Sequence, residues 1–391
     1  MRNPESSTSA TADRGDVAIL ICADSKNSPE MRHEVPVQIA DPFLYIEREG
    51  HRFVVVTGFE VPQLAQLGTI EAIAIEEFGS DEMYAQGAAR SEVRLEAYVR
   101  ACQRYGIAEA IVPPTFPAEL ADRLRSRGIQ LLVDRELFER RRRAKNAAEL
   151  LGIMRSKRAA EAAMKAARTV LADATVKGHK VWHRRRQVTS EMLKFVIKET
   201  YYRHDVSPED IIVAHGSQIF GHDPGSGPIL EGEPIVIDLA PRDPQSGCFA
   251  DMTRTFVVGA ISDEMHTYHG LVREALVRAT DALRAGVSAR QPYEIVCNLF
   301  HEHGFETELS KQPGTFLKSG FFHGLGHGVG LEVHERPFLH RSFDEFTIGD
   351  VVTVEPGLYR DGYGGCRLED LVRVTDEGPQ TLTQFDYDLV P

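Results

Sequence analysis

Residues 322–335 read FHGLGHGVGLEVHE, and the rest of the chain can be read outward from them. His323, His327 and His334 stand among Gly324, Gly326, Gly328 and Gly330, with little charge nearby. Glycine lets backbone approach a ligand or another strand closely and permits φ > 0. Imidazoles supply metal ligation or proton transfer near neutral pH. A single histidine in such a run would be an ordinary solvated turn residue, so the flanks decide the reading. Upstream, IVIDLAPRDPQSGCFADMTRTF (235–256) places Asp238 and Asp251 in two apolar, β-branched runs joined by a turn-rich stretch. Downstream, VVTVEPGLY (351–359) carries Glu355, and GCRLEDLVRV (365–374) carries Glu369 and Asp370. Acids inside strand-like apolar runs are costly to bury unless paired or bound to a cation. Four carboxylates and one imidazole read as the ligands of a two-metal hydrolase centre.

Spacing supports convergence. The interval from Asp238 to Asp251 fits a hairpin with one acid on each arm, and cross-strand partners point to the same side. Pro356 and Gly357 end the strand that carries Glu355. About four negative charges would balance two divalent cations, and without them the acids would repel one another and partly protonate. The oxygen-rich set favours Mn²⁺, with Co²⁺, Fe²⁺ or Zn²⁺ as alternatives. The cysteines form no zinc-finger cluster, and no GxSxG elbow accompanies the histidines.

The chain has 391 residues, 42% hydrophobic and 26% charged, which allows two or three domains of ordinary composition. Its net charge of −13 argues against nucleic acid or an anionic membrane as a partner. Cys22, Cys102, Cys248, Cys297 and Cys366 are dispersed, as expected of reduced thiols in a cytoplasmic protein. Residues 1–15, MRNPESSTSATADRG, lack an apolar core for a secretion signal and read as a disordered tail.

From 17 to 134 short apolar runs alternate with amphipathic stretches, the pattern of a small α/β domain, with no GxGxxG to cradle a nucleotide. The basic run Arg140–Arg143 reads as a solvated helix face or a salt-bridged junction. A composition shift near 145 marks the expected boundary, giving domains at 16–145 and 146–391. Beyond it, helices are expected over 146–175, 189–202, 263–285 and 292–303. His215 has no evident role, Asp370 should face away from Glu369, and Asp243 reads as a solvated turn residue.

Taken in order, the two aspartates, DMTRT (251–255), HGLGHGVGLEVHE (323–335), EPG (355–357) and GCRLED (365–370) resemble the pita-bread metallopeptidases. Residues 146–391 carry the resemblance, and the first 145 are similar to the smaller N-terminal domain of the creatinase, prolidase and aminopeptidase P branch. The implied fold class is α+β, a C-terminal pita-bread catalytic domain preceded by a smaller α/β creatinase-like domain. The resemblance implies Asp238, Asp251, His327, Glu355 and Glu369 as ligands of two divalent metal ions. Asp251 and Glu369 would bridge them, Asp238 would serve one, and His327 with Glu355 the other. His222, His323 and His334 would position substrate and stabilise the tetrahedral intermediate. Arg367 would hold a ligand or substrate carboxylate, and Glu355 would accept the proton of the attacking water.

The implied activity is hydrolysis of the Xaa-Pro bond at the N-terminus of peptides, as an aminopeptidase or alternatively a dipeptidase. A cytoplasmic homodimer or homotetramer is implied as well. Three departures stand out. Ala240 replaces the usual glycine, the interval between the aspartates is two residues longer, and His222 sits in GHDP. Metal-free amidinohydrolases and non-enzymatic relatives on this fold lack these carboxylates. A metal-assisted lyase on the same scaffold is the remaining rival, since fold does not fix function.

Overall fold

The computed structural model describes residues 17–221 and 223–391; the expectations for 1–15 and for His222 fall outside the described residues. The chain divides into two compact units that part between Phe138 and Glu139. The composition shift at 145 lies just beyond the end of the helix Arg135–Arg143.

The first unit is a six-stranded sheet built from the apolar runs read in sequence: Ala18–Ala23, Phe43–Arg48, His51–Val56, Glu71–Ala74, Glu109–Val112 and Gln130–Val133. Ala18–Ala23 lies inside the sheet, antiparallel to Phe43–Arg48 and parallel to Glu109–Val112. Leu20, Leu44, Ile46 and Val55 pack on one face with Ala97, Tyr98 and Ala101 of the helix Arg90–Arg104. That helix buries Val93, Ala97 and Ala101, one stripe at four-residue spacing.

In the second unit every pairing between named strands is antiparallel. It opens on the helix Ala147–Ala172, where Asn146 and Glu149 close a capping box. Its alanines let it lie flat on the strand Pro234–Arg242, and Ala160, Ala163, Met164 and Ala167 share a core with Ile235, Ile237 and Leu239. Asp263–Asp281, capped by Ser262, and Arg290–Glu302 cover the five-stranded sheet through Val272, Leu276 and Val296. Arg143 pairs with Asp350 and Arg142 with Glu332, so the basic run ends in ion pairs within this unit.

Two expectations are corrected. Thr175–Lys177, Lys180–His183 and Arg186–Gln187 form a small meander that no apolar run announces. Asp243 is buried: Arg155 donates to both its oxygens at 3.0 and 2.7 Å, and Ser246 donates through amide and hydroxyl. Burial raises the Asp243 carboxyl, but Arg155 and Ser246 outweigh it and hold it below the usual range. The longer loop is therefore a paired element.

The glycines of the opening motif serve close approach. A Cβ on Gly326 would lie 2.1 Å from the Thr353 carbonyl oxygen, and one on Gly328 2.2 Å from that of Arg336. Gly326–Gly328 is wedged between Glu335–Leu339 and Val351–Val354, and none of its residues has positive φ. All five cysteines are buried and free. Among the described residues no helix is long and apolar enough to cross a membrane.

Candidate metal centre

The hairpin forms as the spacing requires. Pro234–Arg242 pairs with Met252–Val257, and Asp238 lies opposite Thr253. Asp251 is two residues before Thr253, so both acids share one face of the sheet. The same strand grips the Glu369 segment. Glu369 N–H donates to the Thr253 carbonyl at 3.0 Å, and the Thr253 hydroxyl donates to Glu369 Oε2 at 2.8 Å. Thr255 accepts from Arg367 N–H and donates to the Arg367 carbonyl.

Arg254 points the other way and is the largest fully buried side chain. Its five N–H groups all find acceptors: the carbonyls of Thr253, Glu369, Phe385 and Asp386, and Asp370 Oδ1. Its guanidinium carbon lies 4.6 Å from the Tyr387 ring centroid, and Tyr387 hydrogen-bonds the other Asp370 oxygen. Asp370 is thus structural, back to back with Glu369.

His327 Nε2 stands 3.7 Å from Glu355 Oε1 and 4.0 Å from Asp251 Oδ2. Its Nδ1 lies 3.1 Å from the Gly328 carbonyl and so carries the hydrogen, which leaves the Nε2 lone pair facing the carboxylates. Ligand atoms of Asp251, His327 and Glu369 lie within 4.8 Å of one another, all three residues buried. Asp238 Oδ2 accepts from Arg367 Nη2 at 2.6 Å, and Arg367 Nη1 donates to the Tyr359 hydroxyl at 3.2 Å. That hydroxyl reaches His323 Nε2 at 2.9 Å, while His323 Nδ1 bonds the Gly324 carbonyl. The His334 ring is 4.2 Å from the His327 ring, on the exposed side.

Burial, and then the charges of Glu369, Asp238 and Glu355, push Asp251 well above the ordinary carboxylate range. Burial with Glu355 and Asp238 does the same to Glu369 against the Thr253 hydrogen bond. Burial drives Glu355 up to about 8 against the opposing Arg367. Burial and the neighbouring His334 lower His327 to about 4, so its imidazole is neutral. Asp251 Oδ1 is buried without a hydrogen-bond donor. Crowded acids, an inward imidazole lone pair and an oxygen with no donor are the chemistry of a divalent cation site. The residues present fit such ions.

The centre lies in a cleft of about 1020 Å³, whose lining includes all five proposed ligands with His323, His334 and Arg367. Sequence reading missed Tyr359, the hub between Arg367 and His323. Its signal was the G-x-Y pattern: a Cβ on Gly357 would lie 2.3 Å from the Tyr359 hydroxyl. His215 was also unassigned; it is buried, 2.8 Å from Glu233 and 3.1 Å from the Ser226 carbonyl.

Residues 152–376 match metallopeptidase family M24. The Xaa-Pro dipeptidase of Pyrococcus furiosus is 35% identical over 185 residues, 46% of this chain and 49% of that protein. The chain thus spans about half the length of this relative. Among solved structures, X-Pro aminopeptidase from Thermotoga maritima superposes with a TM-score of 0.76 at 21% identity, covering 96% of this chain and 97% of that one. Prolidase from Pyrococcus horikoshii gives 0.73 at 21%, covering 96% of each chain. At that identity the likeness is one of fold, and the fold is the α+β, two-domain architecture expected.

Proposed function

Because the chain belongs to metallopeptidase family M24, we propose that it hydrolyses the peptide bond between an N-terminal residue and proline. The observation that carries the reading is the buried convergence of Asp251, His327 and Glu369 beside Glu355 in an open cleft. In this reading Asp238, Asp251, His327, Glu355 and Glu369 would together hold two divalent cations. Mn²⁺ suits the oxygen-rich set, with Co²⁺, Fe²⁺ or Zn²⁺ as alternatives. When bound, such ions lower the pKa of water and polarise a carbonyl.

The chain's own groups do the rest. Glu355 takes the proton of the attacking water and passes it to the departing proline nitrogen. His323 or His334 donates to the carbonyl oxygen as it gains charge, and His222 is assigned to the same substrate-positioning group. Arg367 holds Asp238 in place and is itself oriented by Tyr359.

Dipeptides of the form Xaa-Pro are the preferred substrates, a choice supported by the relative named Xaa-Pro dipeptidase. Longer Xaa-Pro peptides are the second reading, supported by a cleft at the upper end of ordinary ligand-site volumes. Metal analysis followed by rates on Xaa-Pro and Xaa-Pro-Yaa-Zaa tests both. A protein that binds no divalent ion, or cleaves neither peptide when loaded with Mn²⁺, overturns the reading. A cytoplasmic homodimer or homotetramer completes the proposal, and light scattering on the purified chain checks the assembly.

A further inference from the structure

His334 lines the cleft from a segment that carries buried charges of its own. It stands immediately before the strand Glu335–Leu339, whose first residue lies opposite Gly328, next to His327. Among the described residues the His334 imidazole makes no hydrogen bond, and its ring contact is with His327. Its place is therefore set by the backbone from which it hangs.

That backbone is anchored one position on. The Glu335 carboxylate and the Lys145 ammonium form an ion pair in which each side chain is only 4% exposed. Lys145 Nζ donates to Glu335 Oε1 and, at 2.6 Å, to the Arg142 carbonyl. Among the described residues no other group donates to Glu335, and its Oε2 is buried without a hydrogen bond. Arg142 Nη1 stands 3.8 Å from that oxygen and donates instead to Glu332 Oε2 at 2.6 Å. The fit is tight: a Cβ on Gly330 would lie 2.8 Å from Lys145 Nζ and 2.7 Å from Glu335 Oε1. Lys145 follows the helix Arg135–Arg143 and precedes Asn146, the cap of Ala147–Ala172, so helices hold it on both sides. A small second cavity is lined by Arg142, Glu332, His334 and Glu335, so the ion pairs and the cleft meet at His334. Taking two charges out of water is costly, and the best-attested use of a buried ion pair is to fix one register of a chain.

We propose that Lys145 is a positioning residue for the reaction: through Glu335 it sets the backbone from which the His334 imidazole faces the cleft. The inference deepens the peptidase reading above and rests on it. Without the ammonium, the Glu335 carboxylate has no donor and turns toward water, and the start of its strand moves with it. A shift of about 1 Å at a catalytic group can cost about a hundredfold in rate.

The test measures kcat, KM and metal content for the full chain loaded with Mn²⁺, on whichever of Xaa-Pro and Xaa-Pro-Yaa-Zaa wild type cleaves. Lys145→Met should lower kcat about tenfold to a hundredfold, with KM and metal content little changed. Adding Glu335→Gln removes the stranded charge, so the double variant should regain melting temperature but not kcat. It also carries the comparison if the single variant fails to fold. In a His334→Ala background Lys145→Met should lower the residual kcat by less than about twofold, because the group it positions is gone. An equal fall in both backgrounds, recovery of kcat in the double variant, or loss of Mn²⁺ from Lys145→Met overturns the assignment and leaves the peptidase reading intact. If wild type cleaves neither peptide, both fall together.

Discussion

The Thr253 hydroxyl donates to Glu369 Oε2 at 2.8 Å across 116 residues of sequence, fastening the first carboxylate segment to the last. Replacing Thr253 with Val keeps the shape of the side chain and removes the donor. Partners of metal ligands are typically worth about 10–100-fold in affinity. Titration calorimetry with Mn²⁺ should therefore show at least a tenfold weaker site in Thr253→Val. Unchanged affinity would mean that Glu369 needs no such support.

Glu369→Ala should lose metal loading and turnover together, because Glu369 is one of the proposed cation ligands. His334→Ala should keep its metal and lose kcat on Xaa-Pro peptides. Elemental analysis beside the rates separates the two. Wild-type hydrolysis by Glu369→Ala would sink the two-metal account, and metal loss in His334→Ala would make that histidine a ligand.

Chelation should lower the melting temperature, since ions bound only to the folded state stabilise it by mass action. At a concentration of about 100 times Kd the effect is about 2.7 kcal/mol, a shift of several degrees for a chain of this size. Differential scanning calorimetry with and without chelator checks it. Coinciding melting curves with and without chelator would count against the cation site.

Arg254→Met should cost about 3–5 kcal/mol, the usual penalty for stranding one member of a buried ion pair, here Asp370. Arg254→Lys should recover little, because an ammonium has three donors where five acceptors wait. Urea denaturation measures both. A Lys variant as stable as wild type would show that charge alone suffices.

The His215–Glu233 pair gives stability a pH window. Burial disfavours the His215 imidazolium, but the Glu233 hydrogen bond and charge outweigh it and raise the pKa. Burial likewise opposes the Glu233 anion, yet His215 and the Leu230 amide bring it below the usual range. The histidine contribution is complete below about 6.5, its unfolded value, and is lost as pH rises through the raised folded value. The glutamate contribution is present above about 4.3 and is lost as pH falls through the lowered folded value. Melting curves of wild type and His215→Gln should therefore converge as the medium turns alkaline and again as it turns strongly acid. A constant gap across that range would remove the pair from the account.

Strand alternation and helical spacing made much of the fold legible, because Ile235, Ile237 and Leu239 or Val93, Ala97 and Ala101 leave periodic marks. The candidate centre was legible too, since acids such as Asp238 and Glu369 stand out in apolar runs. What stayed hidden depended on long-range partners. Asp243 looked like a turn residue until Arg155, 88 positions away, was seen to hold it. Tyr359 and Arg254 carry no local sign of their acceptors, and the 175–187 meander is too polar to show alternation.

The acceptors around Arg254 also impose an order on biosynthesis. A nascent chain that has emerged as far as the hairpin displays Asp238 and Asp251, yet Arg254 still awaits carbonyls at 369, 385 and 386. Until the ribosome has delivered those positions, the proposed metal centre lacks Glu369 and the segment that carries it. On the proposed two-cation reading, an ion met early in translation would find only half of its ligands.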